Sequence, residues 1–174
     1  MSRKTWPTPT LWGHALQLDV YLQETASHAR LTGVQLDAAR ERLLAAPLAS
    51  SPAAPFAAPF SALEYGGILH ALQTLAENAI GKAKQLCRHH GGVVPPNAYD
   101  AFLQLQTLGL VSADQVVLWR NVIGLRNRIV HDYLNVDSLV IYDVLRRQDY
   151  ALALDFLLDL QVTAPAASLP KPAP

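Results

Sequence analysis

An arginine, a histidine and a tyrosine lie within eight residues of one another in the stretch RNRIVHDY, residues 126–133. The guanidinium of Arg126 can bind a phosphate through paired hydrogen bonds. The imidazole of His131 can transfer protons near neutral pH as a general base or acid. These two groups are what metal-free RNA cleavage requires, in which a ribose 2′-hydroxyl attacks its own phosphodiester. The stretch is therefore a candidate phosphodiester-cleaving site.

A helical wheel places Arg126 in the middle of an apolar arc, with Asn127 and His131 on the opposite side. Burial of an unpaired charge costs several kcal/mol, so a structural carboxylate, Glu77 or Glu64, is the competing partner for this arginine. Five residues turn a straight helix so that Arg126 and His131 point roughly 140° apart. They converge on one phosphate only if the helix distorts or a second chain contributes, as in a symmetric dimer.

The charge of the chain is balanced overall but concentrated locally. Lys and Arg number 14 and so do Asp and Glu, which gives a formal net charge of zero over 174 residues. No global field draws such a chain to nucleic acid or to an anionic membrane. Between residues 120 and 133, however, Arg120, Arg126 and Arg128 face only one acid, Asp132. We expect RNA to bind there, and we expect the Lys82, Lys84 and Arg88 stripe to be a solvated helix face.

Composition also indicates the compartment and the absence of metal. The single cysteine cannot form an internal disulfide, and the first ten residues lack the apolar core of a signal peptide. The uncharged stretch 43–63 contains four prolines, which a membrane helix would hardly tolerate. The histidines show no metal-ligand spacing. The sequence predicts a cytoplasmic protein with no membrane association, no metal and no cofactor.

The periodicity of apolar residues is helical throughout, which predicts an all-α fold in one domain over residues 11–162. A first helix is expected from Leu11 to Ala46, with a break near Gly33 and apolar positions that include Val20, Leu31 and Val34. A Pro/Ala-rich insertion at 47–60 follows, in which Phe60 is expected to pack on the core. Residues 1–10 are expected to be flexible and 163–174 disordered.

The remaining helix boundaries are predicted from caps. A second helix spans Ser61 to His90 with an apolar stripe at three-four spacing, and a short helix capped by Asn97 ends near Gly109. Ser112 and Gln115 form a capping box for a helix that reaches about Tyr133. Asp137 or Ser138 caps a last helix that continues to about Leu160. Four long helices and one short one predict an antiparallel bundle.

The sequence resembles the HEPN domains, in particular the HepT-like toxins encoded beside a minimal nucleotidyltransferase antitoxin. The motif that carries the resemblance is Arg126, NRIV, His131, Asp132 and Tyr133. The likeness extends to GLRNRIVHDYLNVD as a whole, to the preceding PPNAYDAFLQLQTLGLVSADQ and to YDVL of the last helix. It covers roughly residues 63–160.

The resemblance implies a HEPN-like bundle that acts as a homodimeric endoribonuclease toxin, with tRNA as the expected substrate class. Arg126 and His131 would be catalytic, and Tyr133 would accept AMP groups that the antitoxin transfers from ATP. The added negative charge and bulk would silence the toxin. A nucleotidyltransferase antitoxin is the expected partner, in a hetero-oligomer with the toxin dimer.

The resemblance also bears on position 81 and on one alternative function, and helix positions suggest two further supporting residues. Gly81 stands where family members often carry an acid, and Glu77, one turn earlier, is expected to replace it. Asn127 is expected to hydrogen-bond the imidazole or a phosphate, and Asp132 to cap the helix end. The alternative function is a non-catalytic HEPN module that binds a nucleotidyltransferase or a nucleotide.

Overall fold

The computed structural model describes residues 9–46, 59–90 and 93–160. In these ranges the chain forms six α-helices and one 3₁₀ turn without strands, which confirms the all-α prediction. The elements are α1 (Pro9–Ala45), α2 (Ala62–His89), α3 (Ala98–Thr107), α4 (Ala113–His131), the 3₁₀ turn (Tyr133–Asn135), α5 (Ser138–Arg147) and α6 (Ala151–Leu158). None of these helices is long and apolar enough to cross a membrane.

Local capping fixes where four of the helices begin. The Ser61 side chain accepts from the Glu64 amide while Glu64 reaches back to the Ser61 amide, which closes a capping box before α2. Ser112 and Gln115 close the second box before α4. The predicted caps Asn97 and Asp137 are also present, before α3 and α5. These side chains satisfy amides that the first helical turn leaves without partners.

Helix α1 differs from the prediction in two ways. It is continuous through Gly33, where the missing side chain makes room for α6: an added Cβ would lie 3.0 Å from Leu154 Cδ2. The expected apolar positions Val20, Leu31 and Val34 are exposed. The buried face of α1 is instead rich in small residues and threonines, because small side chains allow its neighbours to pack closely.

The last predicted helix is two helices. Gln148 adopts a left-handed conformation with φ of 57°, which ends α5 after Arg147. The chain turns and α6 begins at Ala151. The buried Tyr150 in this turn donates a hydrogen bond to Asp37 on α1, at 2.6 Å, and so ties the turn to the bundle. The prediction of one helix to Leu160 was wrong because the apolar pattern runs on across the turn.

Helix α2 is the centre of the bundle and packs against α1, α3, α4 and α6. Its predicted apolar stripe is buried, apart from Tyr65 and Ile80, which are partly exposed. An aromatic cluster joins three other helices: the ring of Phe102 stacks on Trp119 at 4.1 Å, and Phe156 meets Trp119 edge-on. This packing holds α4, and with it the candidate site, against the outer side of α2 and α3.

The prediction for Phe60 is confirmed: it is buried and its ring lies 6.0 Å from that of Tyr142. Residues 1–8, 47–58 and 161–174 lie outside the described residues. The predictions of a flexible N-terminus, of a Pro/Ala-rich insertion and of a disordered tail therefore stay predictions for those segments. Helix α1 begins at Pro9, inside the segment expected to be flexible.

Lys82 does not lie on a solvated face. It is completely buried, and its ammonium donates to the carbonyls of Phe156 and Asp159 at the end of α6, at 2.5 Å each. These carbonyls have no intrahelical partners, so the ammonium caps the helix. Burial lowers the pKa of Lys82 from 10.5 to about 8, although the Asp159 carboxylate partly offsets this effect.

We predict that Lys82 makes the stability of the protein depend on pH. Between its folded pKa, about 8, and its unfolded value of 10.5, the unfolded chain binds the proton more readily than the folded chain. Stability therefore rises with pH in that window. The melting temperature of the wild type should gain several degrees over Lys82→Met between pH 7 and pH 10, and Lys84→Met, which keeps Lys82, should follow the wild type. Parallel melting curves for the wild type and Lys82→Met at all pH values would contradict this.

Candidate functional site

Helix α4 carries the candidate motif and is regular as far as His131. Asp132 ends the helix: its amide donates to the Arg128 carbonyl, but its ψ of 41° leaves the helical range. Tyr133, predicted as the last helical residue, therefore belongs to the 3₁₀ turn. Because no distortion lies between Arg126 and His131, their side chains leave the helix in directions that differ by roughly 140°.

Arg126 is held by an ion pair with Glu77 on α2, the acid that the sequence suggested. Its Nε and Nη2 donate to Glu77 Oε1 at 3.3 and 3.0 Å, and its Nη1 donates to Asn127 Oδ1 at 3.2 Å. The other candidate acid, Glu64, pairs with Arg42 and caps α2. The side chain of Arg126 is 28% exposed and that of Glu77 is 41% exposed. The structural carboxylate that the sequence offered as the competing partner of Arg126 is therefore Glu77, and the guanidinium is partly exposed.

This ion pair is weak enough for a ligand to replace it. Exposed pairs of this kind contribute about 0–1 kcal/mol, because water screens them and ordering two long side chains costs entropy. A guanidinium has five N–H donors, and the contacts with Glu77 and Asn127 leave donors on both Nη atoms of Arg126. A phosphate can therefore bind Arg126 without first breaking a buried network.

Arg126 opens into a cleft of about 800 Å³ between α2, α3 and α4. Its polar lining residues are Glu77, Lys84, Asn97, Tyr99, Asp100, Arg126 and Asn127. Gly81 also lines it, and a Cβ there would lie 2.5 Å from the hydroxyl of Tyr21. A side chain at position 81 would therefore require the Tyr21 ring to move. Glu77, one turn earlier, supplies the carboxylate.

Of the other motif residues, Asn127 lines this cleft beside Arg126, whereas His131 and Asp132 do not. His131 is exposed and is not among the residues that line the cleft. Asn127 accepts from Arg126, and no described contact joins it to the imidazole of His131. The Asp132 carboxylate accepts from Asn135 at 2.6 Å. Within one chain, the structure therefore does not bring the arginine and the histidine of the motif to one point.

The three arginines of α4 share a second surface, a groove of about 700 Å³ between α4, α5 and α6. Arg120, Arg126 and Arg128 line it together with Arg147 of α5, which lies outside the motif region of the sequence. Arg120 also lies over the ring of Tyr99, 5.1 Å from its centre. The expected concentration of positive charge on α4 is present in the fold.

Tyr133 lies on the same side of α4 as Arg126, at the other end of the contact with α2. Its side chain is about half exposed, and its hydroxyl packs against Gly66: a Cβ on Gly66 would lie 3.2 Å from Tyr133 Oη. The pairs Tyr133–Gly66 and Arg126–Glu77 show that α4 runs antiparallel to α2. Gly66 and Glu77 are eleven residues apart, or about 16 Å along the helix.

We predict that Gly66 determines where the tyrosine hydroxyl lies. Gly66→Ala should displace Tyr133 by a few tenths of an ångström and shift its ring resonances in NMR spectra. Gly67→Ala is the matched control, since a Cβ there meets nothing within 4 Å. Alanine inside a helix stabilises the folded protein by about 0.5–1 kcal/mol relative to glycine. Gly67→Ala should show the whole of this increase in stability. Equal ring shifts in both variants would contradict the assignment.

No group of three or more His, Cys, Asp or Glu side chains that could hold a metal occurs in the described part of the chain. The polar groups of the candidate site are the arginines of α4, Glu77, His131 and Tyr133. The protein is an all-α bundle whose fourth helix presents an arginine and an imidazole near its C-terminal end, with a phenol in the 3₁₀ turn that follows.

Residues 55–157 match the protein family described as "Ribonuclease HepT-like", and the chain belongs to that family. The fold is that of solved toxin–antitoxin complexes. The tri-AMPylated HEPN toxin of Shewanella oneidensis in complex with its MNT antitoxin has a TM-score of 0.57 and 17% identity, and the match covers 79% of this chain and 96% of that chain. A toxin–antitoxin complex with AMP-PNP gives the same score and identity, with 79% and 97% covered. No curated protein matches the chain.

Proposed function

We propose that this protein is the toxin of a toxin–antitoxin pair and a metal-independent endoribonuclease, with tRNA as its substrate class. The observation that carries the proposal is Arg126, which a weak, partly exposed ion pair holds in an open cleft in a chain of the ribonuclease HepT-like family. The cytoplasm is the compartment where such a substrate occurs.

In the proposed reaction, His131 takes the proton of a ribose 2′-hydroxyl as general base. The 2′-oxygen bonds to phosphorus and the bond from phosphorus to the 5′-oxygen breaks, which leaves a 2′,3′-cyclic phosphate and a 5′-hydroxyl after protonation of the leaving oxygen. Arg126 neutralises the charge that develops on the phosphoryl oxygens. Asn127 orients the guanidinium through the 3.2 Å contact, and Arg120 and Arg128 bind the flanking backbone.

A homodimer supplies the geometry that one chain lacks. Because α4 is straight, Arg126 and His131 of the same chain diverge, and one phosphate can meet both only if the second comes from another copy. A twofold axis would give two such sites, each with Arg126 of one copy and His131 of the other. Glu77 holds Arg126 in place in the free enzyme, and Asp132 fixes the end of α4 beside His131.

Control of the activity is proposed to act through Tyr133. Tyr133 is about half exposed, and the solved relative from Shewanella oneidensis is a tri-AMPylated HEPN toxin bound to an MNT antitoxin. A nucleotidyltransferase antitoxin would transfer AMP from ATP to Tyr133 Oη with release of pyrophosphate. The phosphate and the nucleoside then lie on the face of α4 that Arg126 shares, and they exclude RNA by charge and bulk.

The test is cleavage of total tRNA in excess EDTA by the unmodified wild-type protein and by Arg126→Ala. We expect the wild type to yield fragments with 2′,3′-cyclic phosphate ends and Arg126→Ala to be slower by about 10²- to 10³-fold, the usual loss for a group that stabilises transition-state charge. Absence of fragments from unmodified wild type would refute the ribonuclease. AMP transfer to Tyr133 in that case would favour the alternative, a non-catalytic module that binds a nucleotidyltransferase.

A further inference from the structure

A histidine outside the motif lies on the same face as Arg126. On α2, the residues Gly66, His70, Gln73 and Glu77 fall within an arc of about 60° on a helical wheel. The first and last of these residues contact α4 or the turn that follows it: Gly66 meets the hydroxyl of Tyr133, and Glu77 pairs with Arg126. His70 is exposed between these two contacts.

The contacts of Glu77 also indicate where along α2 the guanidinium of Arg126 lies. Glu77 Oε1 accepts from Gln73 Nε2 at 3.1 Å as well as from Arg126. Side chains on a helix lean toward its N-terminus, so this shared oxygen and the guanidinium lie over the turn between Gln73 and Glu77. His70 begins the next turn, about 4.5 Å further along the axis than Gln73. Glu77 lies about 10 Å from His70 along the axis, so the guanidinium between Gln73 and Glu77 lies within about 10 Å of His70 along the helix. The backbone of an RNA bound at Arg126 can extend over that span.

His70 also meets a chemical need that the motif leaves open. Cleavage of RNA requires two proton transfers, one from the 2′-hydroxyl and one to the 5′-oxygen that leaves. His131 points away from Arg126 in its own chain, whereas His70 lies on the Arg126 side. The other titratable or charged groups on this face of α2 and α4 are Glu77, Lys84, Arg126 and Tyr133. Glu77 is already paired with Arg126, and the Lys84 ammonium donates to the Pro96 carbonyl at 3.1 Å.

We propose that His70 is a second catalytic imidazole and the general acid of the reaction, an assignment that rests on the proposed ribonuclease function. His131 of the second copy takes the 2′-hydroxyl proton while the 2′-oxygen bonds to phosphorus. The bond from phosphorus to the 5′-oxygen breaks, and the protonated imidazole of His70 gives its proton to that oxygen. The products are the 2′,3′-cyclic phosphate, the 5′-hydroxyl, a protonated His131 and a neutral His70.

The test compares two leaving groups. A short RNA that spans a cleavage site mapped on tRNA is made with the ordinary 5′-oxygen or with sulfur in its place at that site, since a thiolate leaves without being protonated. We expect His70→Gln to cut the ordinary RNA about 10²-fold more slowly than wild type and to cut the sulfur-containing RNA within a few-fold of wild type. His131→Ala should be slow on both. His89→Gln, at an exposed histidine of the last turn of α2, should match the wild type.

Two results would overturn the assignment of His70. One is a wild-type rate of His70→Gln on the ordinary RNA, which would remove it from the reaction. The other is an equal loss on both RNAs, which would indicate a role in folding or binding instead of protonation. If the unmodified wild type cuts neither RNA, the ribonuclease proposal itself fails, and that outcome is distinct from both.

Discussion

Replacement of His131 by alanine is expected to lower the rate of RNA cleavage by about 10²- to 10⁴-fold, the range that general acid–base groups contribute. The imidazole is exposed at the end of α4 and its loss removes no buried packing, so the folded state should persist. A large loss of rate without a loss of stability therefore separates a chemical role from a structural one. The measurement is single-turnover cleavage of tRNA in EDTA, together with a thermal melt of each variant.

The matched control for this substitution is His89→Ala, which removes an exposed imidazole from the last turn of another helix. It should cut RNA at the wild-type rate. Retention of activity within threefold by His131→Ala would exclude His131 as a proton-transfer group. A fall in melting temperature in step with the fall in rate would point to a structural role at the end of α4.

Tyr133→Phe is expected to remove control of the enzyme completely while leaving RNA cleavage at the wild-type rate. Phenylalanine keeps the ring but lacks the oxygen that would accept AMP. With antitoxin and ATP, wild type should gain mass in whole AMP units and lose its ribonuclease activity. Under the same conditions the variant should gain no mass and stay active. Intact-mass spectrometry and tRNA cleavage on the same samples measure both effects.

Tyr65→Phe provides the control for the tyrosine. Tyr65 lies near Tyr133 on α2, but its hydroxyl is partly buried and donates to the Val136 carbonyl at 3.5 Å. The Tyr65→Phe variant should be modified by the antitoxin and lose its ribonuclease activity, as the wild type does. Mass addition to Tyr133→Phe, or silencing of that variant without mass addition, would show that the antitoxin acts through another residue or through binding alone.

The sequence was sufficient for features that depend on neighbouring residues. The starts of α2, α3, α4 and α5 were predicted because a serine, asparagine or aspartate cap bonds to an amide two or three residues later. The core stripe of α2 was predicted because it packs on several helices at once and so shows a regular spacing. The caps and the apolar spacing each depend on residues that lie within one or two helical turns of one another.

Features that depend on distant residues were not predictable in this way. Helix α1 has apolar residues on two sides, and its packing against α2, α5 and α6, which includes the close approach of Gly33 to Leu154, decides which side is buried. Lys82 looked like part of a solvated basic stripe, because nothing near it in sequence shows that it would cap α6. Gln148 ends α5 without the glycine or proline that would mark a break.

The candidate site likewise contains features that could be predicted from the sequence and one that could not. The motif residues and the pairing of Arg126 with Glu77 could be predicted from the sequence. A guanidinium near apolar neighbours requires an acid, and few acids were available. The residues near His70 in the sequence form no motif that would indicate a role for it. Its position became informative once Gly66 and Glu77 were seen to contact Tyr133 and Arg126, because the spacing 66, 70, 73 and 77 then defines one face of α2.

Mixing two inactive variants tests most directly whether two copies of the chain build one site. Arg126→Ala and His131→Ala proteins, co-expressed and purified together, form mixed dimers in which one site keeps both groups intact. Activity should return to roughly one quarter of the wild-type value in a random mixture, because half of the dimers are mixed and each has one intact site of two. If Arg126 and His131 act within one chain, every site in the mixture lacks one of them. Cleavage no faster than that of either variant alone would contradict the shared site.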